Sequence, residues 1–272
     1  MKLTEYSAVT RFDNGDILIK DGTGGTKKIL ARDAAIDFQG LISVENHRNT
    51  YRGKSLGSSI SAAQKTAIQN GTFDDLYIGD YWTLSGVVYR IADMDYWYNC
   101  GDTQFTKHHL VMVPDNSFYN AQMNETNITT GGYVGSKMYT ENLNQAKTTI
   151  RTAFGDMLLT RREYLTNAVT DGRPTAGAWF DSNVELMNEI MVYGCHVYTP
   201  MGNGVTVPNK YTTCKQQLAL FQLNPKMLNR RYTFWLRDVV SAAGFAHVGT
   251  DGGANYDAAS NSNGVRPAFP IG

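Results

Sequence analysis

"WLRDVVSAAGFAHVGTDGGANYDAASNSNGVRPAFPIG" occupies residues 235–272. Its two ends, "WLR" and "GVRPAFPI", read as core strands. Its middle is small, polar and rich in glycine. A loose tail would not need such a frame, and a packed core would not need such a middle.

The middle has a second property. Residues 239–263 contain only Val, Ser, Ala, Gly, Phe, His, Thr, Asp, Asn and Tyr. All ten can be written with a codon ending in C or T. Lys, Glu, Gln, Met and Trp, which need a codon ending in A or G, are absent. Phe245, Ala246, Val248, Ala254, Ala259 and Ser260 look fixed. They alternate with Gly244, His247, Gly249, Thr250, Asp251, Gly253, Asn255, Tyr256, Asp257 and Ala258. Each of the latter is one or two adenine changes, or none, away from an Asn codon. Adenine-directed mutagenesis would leave that pattern, although loops also favour small polar residues.

Upstream, "LYIGDYWTLSGVVYRIADMDYWY" is dense in aromatic and β-branched residues around Ser85-Gly86, and reads as a hairpin. "HHLVMVPD" reads as a strand ended by Pro114. "SKMYTENLNQAKTTIRTAF" sets Tyr139, Leu143, Ala146, Ile150 and Phe154 at helical spacing. "NVELMNEIMV" reads as a second helix with Val184, Met187, Ile190 and Met191 inward. "TRREYLTNAVTDGRPTAGAW" between them carries loop signals. "QQLALFQLNPKM" reads as a strand up to Pro225, and "MGNGVTVPN" as a loop. "YTFWLRDVV" and "GVRPAFPI" complete the strands. Strands, helices, then strands indicate an α+β chain rather than alternating βαβ units.

The first 40 residues read as a separate small unit, either an attachment arm that docks onto a partner or an N-terminal hairpin folded onto the main domain. "DILIK" and "KKIL" flank the turn "DGTGGT" as a hairpin, followed by a short helix in "ARDAAIDFQGLI". Residues 41–75 read as a polar connector holding one helix between Ser61 and Asn70. Residues 76–272 form the main domain, with a variable region at about 232–263.

The 272 residues have 42% hydrophobic content, enough for a real core. Lys plus Arg and Asp plus Glu are 25 each. A neutral chain carries no electrostatic footprint for nucleic acid or an anionic membrane. The three cysteines, Cys100, Cys195 and Cys214, lack CxxC spacing and form no disulfide framework. The start shows no apolar signal-peptide core, and no run reaches the ~18 apolar residues of a span. The expectation is a protein made in a reducing cytoplasm and not inserted in a membrane.

No phosphate loop, HExxH or GxSxG is present, and "GTGG" at 22–25 sits in a hairpin turn. His108 and His109 are neighbours on a strand, so their side chains diverge and do not share a metal. Cys195-His196 reads as a buried inert cysteine beside a histidine. Asp74, Asp75, Asp93 and Asp95 read as turn caps. The four tryptophans, Trp82, Trp97, Trp179 and Trp235, read as core anchors. "VPDN" at 113–116 is similar to the proline-containing calcium loop of sugar-binding lectins, but lacks its preceding Glu or Gln and its "WND" partner. No catalytic residue, metal or cofactor is indicated.

"FWLRDVVSAAGFAHV…NSNGVRPAFPI" resembles the C-terminal variable region of retroelement-diversified proteins with a C-type lectin fold, such as phage tropism determinants. The same fold underlies formylglycine-generating enzymes. The resemblance covers about residues 232–272 closely and 78–231 more loosely. The first 40 residues resemble the N-terminal segments of phage structural proteins.

The resemblance implies a phage or prophage receptor-binding protein, an adhesin of a tail or head fiber. It would be made in the bacterial host cytoplasm and carried on the virion through residues 1–40. It implies a homotrimer that binds a host cell-surface protein or glycan through Gly244, His247, Gly249, Thr250, Asp251, Gly253, Asn255, Tyr256, Asp257 and Ala258. Tyr232 and Phe234 would be aromatic neighbours. Trp235 and Phe269 would pack as scaffold, Arg237 and Arg266 would bond backbone carbonyls, and Gly252 and Gly264 would supply turn conformations. The alternatives are a structural decoration protein of the virion, or an enzyme of the formylglycine-generating type using Cys195 and Cys214.

Overall fold

The computed structural model describes residues 45–200 and 216–272, with the backbone of two strands nearer the start. These two, β1 (Ile17–Lys20) and β2 (Lys27–Leu30), pair antiparallel with Ile17 opposite Leu30. They are the hairpin expected from "DILIK" and "KKIL". Its turn, the helix expected in "ARDAAIDFQGLI", the "MGNGVTVPN" loop and Cys214 lie outside the described residues.

Helices α1 (Glu45–Asn49) and α2 (Ala62–Gln69) follow. Ser61 and Gln64 form a reciprocal capping box at the start of α2, and Asn70 ends it. The segment expected as a connector contributes Ile68 and Phe73 to the main core. It also bridges in parallel from Tyr51 to Ile78 and from Ser55 to Tyr81.

Strands β3 (Tyr81–Leu84) and β4 (Val87–Met94) form the expected hairpin. Ser85 and Gly86 both have positive φ, +49° and +80°, as a two-residue primed turn requires. β5 (Leu110–Pro114) pairs with β4, and β6 (Asn120–Gln122) comes next. A π-turn at Met138–Asn142 leads into α3 (Asn144–Phe154). Leu143, Ala146, Ile150 and Phe154 face the core, as their spacing predicts.

Three segments depart from the sequence expectation. The supposed loop after α3 is a long hairpin, β7 (Arg161–Thr170) and β8 (Arg173–Ser182), turning at Asp171-Gly172 with φ +50° and +73°. The "NVELMNEIMV" helix is half strand: β9 (Glu185–Leu186) precedes α4 (Glu189–Tyr193). The inward residues are still Val184, Met187, Ile190 and Met191. "QQLALFQLNPKM" forms the short helix α5 (Ala219–Leu223) and a 3-10 turn at Pro225–Met227 in place of a strand.

The chain then runs through β10 (Phe234–Val239), β11 (Gly244–Val248), β12 (Ala254–Ala258), β13 (Ser262–Gly264) and β14 (Pro267–Ile271). Two five-stranded sheets result, in the orders β3-β4-β5-β14-β9 and β12-β11-β10-β13-β6. The fold is α+β. β14 sits inside the first sheet, antiparallel to β5 on one side and β9 on the other. β10 and β13 are parallel neighbours, and β12 is an edge.

The main core centres on Tyr89, Phe154 and Phe269, with ring centroids 5.0–5.9 Å apart in edge-to-face pairs. A second cluster holds Tyr133, Trp235, Phe245 and Val265. Trp235 and Phe269 are thus both fully buried, but in different clusters. Burying each such ring contributes about 1.5–3 kcal/mol. Trp82, Trp97 and Trp235 are core anchors; Trp179 is half-exposed on β8 beside Tyr164. Among the described residues no helix is long and apolar enough to cross a membrane.

Candidate recognition face

The small, polar stretch becomes a strand, a tight turn and an edge strand. β11 is buried along its length because β10 flanks it on one side and β12 on the other. Its register with β12 sets Phe245 opposite Asp257, Ala246 opposite Tyr256 and His247 opposite Asn255. The connecting turn is closed by hydrogen bonds from Gly249 N–H to Gly253 O (2.7 Å) and Gly252 N–H to Gly249 O (2.9 Å). Asp251 Oδ1 accepts the Gly253 N–H at 3.0 Å. Gly252 has φ +87°, a conformation that side chains rarely adopt.

This geometry divides the candidate positions. Thr250, Asp251, Gly253, Asn255 and Tyr256 are exposed on the turn and the edge strand, and Tyr256 is 51% exposed. Asp257, Ala258 and Tyr232 are half-buried. Asp257 is committed to the scaffold, accepting hydrogen bonds from Ala258 N–H, Asn261 Nδ2 and Asn263 Nδ2. The Tyr232 hydroxyl accepts from Ser117 N–H and donates to Asp115 O.

Gly244, His247, Gly249 and Phe234 are buried and do not belong to a contact surface. A Cβ at Gly244 would stand 2.6 Å from the Asp257 carbonyl oxygen. His247 lies edge-on to Trp235, and burial pushes its pKa down. Phe234 is fully buried beneath the Arg266 guanidinium, 4.9 Å from its ring centroid. Codon pattern cannot distinguish these from the exposed positions, because small residues suit both a crowded strand and a solvated turn.

The scaffold arginines hold carbonyls of neighbouring segments. Arg266 Nε donates to Pro114 O at 2.9 Å and Nη1 to Met227 O at 3.3 Å. Burial lowers its pKa to about 10. Arg237 Nη1 donates to Leu186 O, and its Nη2 pairs with Glu163. Gly264 does not have a positive φ. Its missing side chain leaves space, since a Cβ there would collide with Ser117 Oγ and stand 2.8 Å from Thr233 O.

No protein-family model, curated protein or solved structure matches this chain.

The remaining candidate groups are engaged or apart. Asp93 is fully buried, bonded by Arg48 and by the N–H groups of Met94 and Ala219; the last is the first residue of α5. Burial outweighs these partners and raises its pKa. Asp95 bonds His108 Nδ1 and the His109 N–H. Asp115 of "VPDN" is paired with Arg90 and lies 3.6 Å from Arg230. Cys195, expected to be buried, is exposed with a free thiol on the loop after α4. Among the described residues no group of three or more His, Cys, Asp or Glu could hold a metal ion.

That loop is the feature sequence reading missed. Residues 194–198 are exposed, and Tyr198 lies against Tyr256 with ring centroids 5.2 Å apart. The Glu189 carboxylate, itself fully buried, accepts the N–H groups of Val197, Tyr198 and Thr199 at 2.9–3.1 Å. Asp238 Oδ2 accepts the Glu189 N–H at 2.7 Å. Burial, and then the Glu189 charge, raise the Asp238 pKa to about 7. A cavity of about 60 Å³ lies behind the loop, reached by Tyr164, Asn188, His196, Thr199 and Asp238. The sequence carried no signal for it, because Glu189 at the start of a short helix reads as a surface carboxylate until the fold buries it.

Proposed function

We propose that the chain is a receptor-binding protein of a phage or prophage virion, of the retroelement-diversified class with a C-type lectin fold. It uses the turn after β11 and the strand β12 as its contact surface, and binds a host cell-surface molecule without chemistry on it. The arm at residues 1–40 joins it to the virion, and copies assemble as a trimer so that weak contacts act together.

One observation carries the reading. Of the positions that look fixed in residues 239–263, Phe245, Ala246, Val248 and Ala259 are fully buried. Among the positions an adenine-directed process would change, Thr250, Asp251, Gly253, Asn255 and Tyr256 are exposed together on one turn and one edge strand. A support whose backbone is fixed by buried neighbours tolerates side-chain exchange on its outer face. Tyr, Asn and Asp on such a face give contact area and adaptable hydrogen bonding, as in antibody loops.

The test is adsorption. Virions carrying Tyr256→Ala or Asn255→Ala should adsorb to host cells at least about ten-fold more slowly, with unchanged particle yield. Unchanged adsorption for both variants would refute the reading. Sequencing the gene across a population gives a second check. Substitutions should concentrate at Thr250, Asp251, Gly253, Asn255 and Tyr256, and spare Trp235, Arg237 and residues 265–269.

A further inference from the structure

Two segments far apart in sequence meet at the proposed contact surface. α4 and its following loop touch the β11–β12 hairpin twice, once at its turn and once on β12. The Tyr193 hydroxyl donates to Gly252 O at 3.2 Å, and the Tyr198 ring lies 5.2 Å from the Tyr256 ring. Tyr198 and Tyr256 are 41% and 51% exposed, and Val197 beside them is 48% exposed. They are three of the five large apolar side chains that stand exposed among the described residues.

The loop does not reach this position by chance packing of a flexible segment. Its three successive N–H groups converge on the Glu189 carboxylate, and Glu189 is held by α4, which Asn188 caps at its N-terminus. A carboxylate that accepts three N–H bonds is a strong fixed anchor. The Tyr198 backbone is thus held by Glu189, while its side chain stands exposed.

We propose that Tyr198 and Tyr256 form one aromatic seat, half from the fixed loop and half from the edge strand, whose exposed ring faces receive a basic side chain of a protein partner. This rests on the receptor-binding reading above. Two features favour that occupant. The rings touch, with centroids 5.2 Å apart, and are inclined at 57°, so they offer angled faces rather than one flat platform on which a sugar ring would lie. A guanidinium or ammonium group is drawn to the exposed faces of aromatic rings.

Charge points the same way. The two segments that build the face, residues 194–199 and 249–258, contain the carboxylates Asp251 and Asp257 and no Lys or Arg. Arg231 adjoins the turn through its N–H to Thr250 O. An Arg or Lys seated on the outer ring faces gains cation–π attraction and nearby negative charge; an anionic glycan meets repulsion.

The probes are short peptides alike except for a central Arg, Lys, Glu or Ala, together with a neutral glucan oligosaccharide, applied to the immobilised full chain. Retention of the Arg and Lys peptides over the Glu and Ala peptides is expected. It should fall about three- to ten-fold in Tyr198→Ala and in Tyr256→Ala, each checked for an unchanged circular dichroism spectrum. Retention of the oligosaccharide instead, indifference to the central residue, or no retention would overturn the proposal.

Adsorption separates its failure from that of the receptor reading. If Tyr256→Ala slows adsorption and Tyr198→Ala does not, the receptor reading stands and the aromatic seat falls. If neither does, the seat falls, and the receptor reading falls with it when Asn255→Ala is also without effect. A comparable loss in both tyrosine variants supports the seat.

Discussion

Arg237 and Glu163 are joined by a 2.6 Å charge-assisted hydrogen bond between two buried side chains, one on β10 and one on β7. Arg161 reaches the other Glu163 oxygen at 2.7 Å. Burial opposes the Glu163 charge, yet the two guanidinium groups hold its pKa below the usual carboxylate range. This network ties the β7–β8 hairpin to β10, the strand that pairs with β11.

Arg237→Ala should therefore destabilise the protein by about 3–5 kcal/mol, because it leaves a buried carboxylate short of a partner. Arg237→Lys should rescue only part, since one ammonium cannot serve both Glu163 and the Leu186 carbonyl from a planar fork. Urea unfolding midpoints measure both. An Arg237→Ala loss below about 1 kcal/mol would contradict the assignment.

Substitution at glycines should split by location. Gly244→Ser and Gly264→Ala force atoms against backbone oxygens and should each cost about 1–3 kcal/mol. Gly253→Ser, on the exposed side of the turn, should change stability by less than about 0.5 kcal/mol. Thermal unfolding of the three variants decides it. A freely variable Gly244 would mean that β11 and β12 do not pair as described.

Glu189→Gln replaces a double acceptor by an amide whose NH₂ faces backbone donors. The Val197, Tyr198 and Thr199 amides should then exchange with solvent about 10- to 100-fold faster, in keeping with the ~1.5–3 kcal/mol carried by hydrogen bonds to a charged group. The Asp238 pKa should fall as well, because the Glu189 charge helps to raise it. Hydrogen exchange and carboxyl titration by NMR read the two effects separately.

Two buried groups give opposite pH dependences. His109 is neutral, with Nδ1 donating to Lys107 O and Nε2 accepting the Trp97 N–H, and burial lowers its pKa to about 4. Between about 4 and 6.5 the unfolded chain binds a proton that native His109 refuses, so stability rises with pH there. Asp238 keeps its proton up to about pH 7 while the unfolded carboxyl releases it near 3.9, so its contribution falls as pH rises across that window. Asp238→Asn should leave a stability profile that rises more steeply from pH 4 to 6.5. A profile unchanged by the substitution would contradict the raised Asp238 pKa.

Local signals explain which elements were legible. Ser85-Gly86 between apolar strands, the Ser61 and Gln64 pair, and the Leu143–Phe154 stripe each carry their own cause within a few residues. The β7–β8 hairpin has an equally good Asp171-Gly172 turn, but its inward positions include Arg161 and Glu163. A buried ion network inverts the expected apolar alternation, so a strand looks like a loop. α5 is too short for periodicity to separate helix from strand, and its first N–H is received by Asp93, 126 residues away. The exposed loop at residues 194–198 depends in the same way on Glu189. Burial at Gly244, His247 and Phe234 depends on sheet order, which no local pattern contains.

β14 is translated after the turn and strand β12 proposed as the contact surface, yet it lies between β5 and β9 in the first sheet. A frameshift or stop codon arising anywhere in residues 244–263 would delete this internal strand and leave the edges of β5 and β9 open. Such a chain would not complete its core and would be lost to proteolysis or aggregation. Completion of the first sheet thereby depends on the reading frame of residues 244–263: a substitution on the exposed turn leaves β14 in place, and a frameshift does not.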